Sequence, residues 1–151
     1  LYARNVMNET AGQWGMGIHI KTRTTYGGYI RNIVYEDNVF TTAGVPGGAL
    51  HIECGYQSGG GCNYSECTDI RDIVFRNLTF LHSGGTGDLV CFPNRPCHNV
   101  TFDNVHVSGF APGQTGWGCQ GVASGSFVDV TPPRSTSGDC NFTSASPAAL
   151  T

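Results

Sequence analysis

The chain is 151 residues long, with 22 glycines, 13% charged residues and a net charge of −3. That balance leaves no basic footprint for nucleic acid, and no apolar run is long enough to span a bilayer, so neither partner is expected. The length suits one domain with a core of its own, and the glycine content, with no sustained helical apolar stripe, argues against a helical protein.

Residues 1–16 include Tyr2-Ala3-Arg4-Asn5-Val6, which reads as the end of one winding of a repeat. The chain opens on Leu1 in what reads as mid-domain sequence, as expected of a processed or partial chain. Residues 17–40 hold the first full copy, Gly17-Ile18-His19-Ile20-Lys21-Thr22 and then Ile30-Arg31-Asn32-Ile33-Val34-Tyr35-Glu36-Asp37-Asn38-Val39-Phe40. Residues 49–80 echo both halves, as Ala49-Leu50-His51-Ile52-Glu53 and Ile70-Arg71-Asp72-Ile73-Val74-Phe75-Arg76-Asn77-Leu78-Thr79-Phe80, with a Gly-rich excursion over 55–67 between them. Residues 88–107 end on a third version, Cys97-His98-Asn99-Val100-Thr101-Phe102-Asp103-Asn104-Val105-His106-Val107. A fifth, less regular winding draws on 117–122 and 127–130. From 131 to 151 the composition turns to Pro, Ser, Thr and Ala without a strand pattern, which predicts an irregular tail beside a repeat domain of residues 1–130.

Aligned, Ile33, Ile73 and Val100 share one column and Tyr35, Phe75 and Phe102 another. Asn32, Asp72 and Asn99 form a third, and Asp37, Asn77 and Asn104 a fourth. Apolar residues alternate within each segment, the strand period of two. Short β-branched and aromatic strands that recur at uneven intervals, with Gly-rich turns of variable length, predict an all-β parallel β-helix of about four to five coils. The Asn and Asp columns are expected to form hydrogen-bonded ladders beside the strands.

The seven cysteines include no Cys-x-x-Cys, so no metal and no cofactor is expected. Disulfides in an oxidising, secretory compartment are the reading instead. Cys62 with Cys67 and Cys91 with Cys97 lie close enough to staple their own loops, and Cys119 with Cys140 would pin the tail. Cys54 is then left over, buried as a small apolar residue or paired outside the chain. Asn8, Asn63, Asn77, Asn99 and Asn141 stand in Asn-x-Ser/Thr acceptor motifs, as in a secreted glycoprotein. Two of them, Asn77 and Asn99, fall in ladder columns, where burial would keep them unmodified.

The Gly-Ile-x-Ile-Lys-Thr string, its Gly-rich turn and the following Ile-x-Asn-Ile-x-Tyr/Phe-x-x-Asn resemble the C-terminal half of the polygalacturonases and their relatives, glycoside hydrolase family 28. The later Cys-x5-Cys leading into Asn99-Val100-Thr101-Phe102-Asp103-Asn104-Val105 resembles the same family. The resemblance covers most of residues 1–130 and implies a right-handed parallel β-helix acting on polymers of galacturonic acid. It implies that His19 and Lys21 stand where the family's Arg-Ile-Lys grips the sugar carboxylate, and that Tyr56 matches a substrate-contacting Tyr. Ile18 and Ile20 pointing inward would turn His19 and Lys21 outward together. His19 offers neither the fixed charge nor the bidentate fork of an Arg.

Hydrolysis with inversion needs one carboxyl to protonate the leaving oxygen and another to activate water. The family takes its catalytic groups from Asn-Thr-Asp, Asp-Asp and Gly-His-Gly upstream of the Lys motif, and none of those strings occurs in this chain. The polypeptide alone is therefore expected not to cleave pectin, and no catalytic residue is assigned. Structural alternatives stand beside each binding residue. Lys21 aligns with Glu53 and reads equally as half of a cross-strand ion pair; His19 aligns with His51 as stacked surface imidazoles; Tyr56 reads as a cover for apolar surface. Trp14 and Trp117 read as covers at the ends of the stack rather than sugar platforms. Glu36, Asp69, Asp72 and Asp103 fall in turn or ladder columns and read as structural. Three functions remain open: the C-terminal part of a secreted pectin-acting glycosidase, a non-catalytic structural subunit of a wall, coat or filament, and a module that binds acidic polysaccharide. The partners are a galacturonan-like polysaccharide and, at the solenoid ends, upstream coils or neighbouring copies.

Overall fold

The computed structural model describes residues 2–4, 17–25, 27–41, 48–56, 65–109, 116–133 and 140–145. These contain ten strands and no helix: β1 Tyr2–Arg4, β2 Ile18–Lys21, β3 Tyr29–Phe40, β4 Leu50–Glu53, β5 Asp69–Phe80, β6 Asp88–Val90, β7 His98–Val107, β8 Gly118–Gln120, β9 Val122–Thr131 and β10 Cys140–Ala145. Every ladder is parallel. A six-stranded sheet runs β1-β3-β5-β7-β9-β10, and a four-stranded sheet runs β2-β4-β6-β8. From β2 to β9 the chain alternates between the two sheets, and each return lies beside the preceding one. Both inner faces feed one core: Ile18, Ile20, Leu50, Ile52 and Leu89 from the smaller sheet meet Ile73, Phe75, Leu78, Val100, Phe102 and Val105 from the larger.

The aligned columns are vertical neighbours. Ile33 pairs with Ile73 and Ile73 with Val100; Tyr35 pairs with Phe75 and Phe75 with Phe102. Phe127 continues the aromatic column, with ring centroids 5.5 Å apart for Tyr35–Phe75, 5.1 Å for Phe75–Phe102 and 4.5 Å for Phe102–Phe127. Trp117 belongs to this cluster rather than to an end cover. It is wholly buried 5.2 Å from Phe102, and its indole N–H donates to the Pro132 carbonyl at 3.0 Å. A buried indole cannot serve as a sugar platform, and Trp14 lies outside the described residues.

The Asn and Asp columns have a second role beyond hydrogen bonding. Asn32, Asp37, Asp72, Asn77, Asn99, Asn104 and Asp129 all have φ between 50° and 56°, the left-handed region that Asn and Asp tolerate best among residues with a Cβ. Each bends its strand and inserts one extra outward residue. The strict alternation of apolar residues therefore holds only between bends. In β5 the buried series is Ile70, Ile73, Phe75, Leu78, Phe80, and the pairs Arg71-Asp72 and Arg76-Asn77 both lie outside the core. The side-chain amides then link the windings. Asn99 Nδ2 donates to Asp72 at 2.8 Å, Asn77 Nδ2 to Asp37 at 2.9 Å, and Asn104 Nδ2 to Asn77 at 2.9 Å. Asn77 and Asn99 are exposed, not buried as their columns suggested, because the bend turns them outward. Their amide nitrogens are nonetheless engaged in the ladder. Asn141 is exposed in β10, and Asn8 and Asn63 lie outside the described residues.

The tail expected to be irregular contributes a strand. β10 pairs with β9 in parallel and extends the six-stranded sheet. Two features draw it in despite its polar composition. A disulfide joins Cys140 to Cys119, and Phe142 packs on the Phe127 ring at 4.6 Å over the space left by Gly125, where a Cβ would meet the Phe142 ring at 2.4 Å. A second disulfide joins Cys91 and Cys97. Cys67 is disulfide-bonded as well, while Cys62 lies outside the described residues. Cys54 is a free, buried thiol.

Candidate functional site

The outer face of the four-stranded sheet carries the side chains that the sequence singled out. In β2 and β4, Ile18, Ile20, Leu50 and Ile52 are buried, so period-two alternation sends His19, Lys21, His51 and Glu53 to the opposite face. The register sets His19 beside His51 and Lys21 beside Glu53. Tyr56, just beyond β4, donates its backbone N–H to the Thr22 carbonyl at 2.9 Å, which brings its ring alongside β2. The Lys21 ammonium then sits 3.1 Å from the centre of the Tyr56 ring, a cation–π contact. His19, Lys21 and Tyr56 are thus brought together on one surface.

Of the two roles open to Lys21, the cross-strand ion pair with Glu53 does not form. Glu53 reaches diagonally to His19, with Nε2 to Oε2 at 2.9 Å, and leaves Lys21 to the aromatic ring. Cα register alone did not settle this, because both outward neighbours of Glu53 are basic and the Tyr56 face competes for the ammonium. The His19 and His51 rings lie 5.7 Å apart and are tilted rather than stacked.

Sequence reasoning gave His51 no role beyond that column, yet the fold engages its ring. The Gly48 backbone N–H donates to His51 Nε2 at 3.1 Å, an acceptor role that suits a neutral ring carrying its proton on Nδ1. Burial pushes the His51 pKa below the ordinary imidazole value; the Asp88 and Glu53 charges oppose this shift and His19 adds to it. A histidine whose pKa is lowered by folding contributes stability that is complete above the unfolded value, about 6.5. That stability is lost as pH falls from there through the folded value. The urea midpoint is therefore expected to drop between about pH 7.5 and about pH 5. His51→Gln, which keeps an acceptor for the Gly48 amide, is expected to drop less; an equal drop would assign the acid limb to other groups.

The remaining acidic residues named from the sequence are engaged structurally. Asp69 is buried against Arg71, with Arg95 at 3.8 Å. Arg76 bridges Glu36 at 3.7 Å and Asp103 at 3.3 Å across successive windings, and Asp72 accepts from Asn99. No two of these four share the face that carries Lys21.

The sequence model for glycosyl hydrolases family 28 matches residues 3–128. No curated protein and no solved structure matches the chain significantly.

Proposed function

We propose a function from the premise that this chain belongs to glycosyl hydrolase family 28: it is the portion of a secreted, pectin-related polysaccharide-acting glycoprotein that holds the sugar acid, with the catalytic carboxyls supplied from outside it. The solenoid in this reading is a right-handed parallel β-helix of four to five coils, the architecture that the two alternating parallel sheets support. The observation that carries the proposal is the Lys21 ammonium on the Tyr56 ring beside His19, within the matched segment. Lys21 supplies a fixed positive charge for a carboxylate, and the Tyr56 ring beneath it holds the ammonium in place. His19 enters with its ring oriented by the Nε2 contact to Glu53, which leaves Nδ1 to face a sugar hydroxyl. The disulfides suit an oxidising compartment and hence secretion.

Removing the ammonium tests this. Lys21→Ala is expected to weaken oligogalacturonide binding about tenfold in low-salt titration calorimetry, since a charge-assisted contact contributes roughly 1.5–3 kcal/mol and a tenfold change is about 1.4 kcal/mol. Equal affinity for wild type and variant would remove the binding role.

A non-catalytic role in a wall, coat or filament is the second reading, and two observations favour it. Glu53 places a carboxylate within the same face as Lys21 and occupies His19, which makes the surface less receptive to an acidic polymer than an Arg-Ile-Lys strand would be. Among the described residues, β1 and β10 each pair on one side only, the kind of edge on which a further coil or another copy could add.

A further inference from the structure

Beneath the Lys21 face lies an inward column of buried residues. Three backbone hydrogen bonds fix it: Thr22 N to Glu53 O at 3.0 Å, Cys54 N to Val90 O at 2.9 Å and Cys91 N to Gln120 O at 2.9 Å. Thr22, Cys54 and Cys91 are therefore successive neighbours in one stack, each directly following paired strand residues. The sulfurs of Cys54, Cys91 and Cys97 all lie within 4.8 Å of one another, and all three residues are buried. One of them is a thiol and the other two share a disulfide.

We propose that these three residues form an exchange centre in which Cys91 takes either Cys97 or Cys54 as its disulfide partner. The two pairings are geometrically comparable. The Cys91 and Cys97 Cα atoms are 5.8 Å apart, and in-register residues of adjacent strands are about 4.8 Å apart, both within the range that a disulfide spans. The step balances without an external oxidant. The Cys54 thiolate attacks the Cys91 sulfur, the Cys54–Cys91 bond forms as the Cys91–Cys97 bond breaks, and the electron pair leaves on Cys97, which takes up the proton that Cys54 gave up. Cys97 stays in place for the reverse step, because its N–H donates to Gly121 O at 3.0 Å and its carbonyl accepts from Ala123 at 2.8 Å. The exchange replaces a staple of sequence separation 6 within one loop by a bond between successive windings.

The surroundings set the rate. Burial pushes the Cys54 thiol up; hydrogen bonds from the Thr22 side chain and the Phe92 backbone partly oppose this, and neither group is charged. Thiolate is the attacking species, so exchange accelerates as pH rises. Thr22 also carries the carbonyl that positions Tyr56, so the centre abuts the Lys21–Tyr56 contact.

The test is a map of the free thiol in the folded, unreduced protein. Samples held at about pH 5 and about pH 9 are quenched in acid, denatured with a maleimide label present, digested and sequenced by mass spectrometry. Label is expected on Cys54 after the acidic incubation and on both Cys54 and Cys97 after the alkaline one, with a Cys54–Cys91 linked peptide appearing alongside. Cys97→Ser, refolded in a glutathione buffer, is expected to carry the Cys54–Cys91 disulfide and no thiol among these positions. Label confined to Cys54 at both pH values would overturn the proposal, as would two free thiols in folded Cys97→Ser. Should that variant fail to fold, the wild-type map decides alone.

Discussion

Phe102→Ala is expected to cost about 3–5 kcal/mol, the range for removing a buried aromatic side chain and leaving the surroundings only partly able to collapse. Phe102 is wholly buried, and its ring contacts those of Phe75, Trp117, Phe127 and Phe142, so it joins windings on both sides and the recruited β10. Small domains have about 5–15 kcal/mol in total, so the loss would take a large part of the stability. Phe40→Ala provides the internal comparison. Phe40 stacks on Phe80 at 4.6 Å but is only partly buried, so its truncation leaves a smaller void and should cost clearly less. Urea unfolding followed by fluorescence gives both values; an equal or smaller loss for Phe102→Ala would mean that the aromatic column is not the mechanical centre of the core.

That column was legible in the sequence because stacking repeats demand the same residue type at the same position, and Tyr35, Phe75 and Phe102 meet that demand. The Asn and Asp columns were equally visible, since a side-chain ladder needs amides and carboxylates above one another. Their backbone conformation was not, because a hydrogen-bonding role and a left-handed bend call for the same residues. The bend explains what the pattern alone misjudged: two successive residues face outward at each corner, and Asn77 and Asn99 are exposed.

Elsewhere the deciding contacts are remote in the chain and leave no local trace. β10 has the composition of a linker, yet it is held by a cysteine and a glycine from earlier windings. The partner of Lys21 depends on Tyr56, which is placed by a backbone hydrogen bond to Thr22 across windings. Periodicity assigned His19, Lys21 and Glu53 to a face; competition among their side chains then assigned the pairs, and periodicity carries no information about that competition.

Gly87→Ala is expected to be the most damaging single methyl addition tested by this fold. Gly87 has φ +114°, and a Cβ there would lie 1.8 Å from the Leu50 carbonyl oxygen. Neither strain has an outlet. Leu50 is wholly buried in β4, its N–H donates to Thr86 O at 3.1 Å, and the Gly87 carbonyl accepts from Gly118 at 3.2 Å, so the backbone is clamped from both neighbouring windings. Gly28→Ala separates the two contributions. Its φ is +70°, but nothing lies within 4 Å of the added atom, so it should cost only the conformational strain of about 1–2 kcal/mol. Gly87→Ala adds a backbone clash that only separation of the windings can relieve, and a loss above about 4 kcal/mol is expected, with little soluble folded protein. Because Asp88 follows directly and pairs with Gly118, the same separation would disturb the charge facing His51. Thermal unfolding of the two variants side by side measures the difference; a Gly87→Ala protein as stable as Gly28→Ala would show that adjacent windings are not packed at backbone contact here.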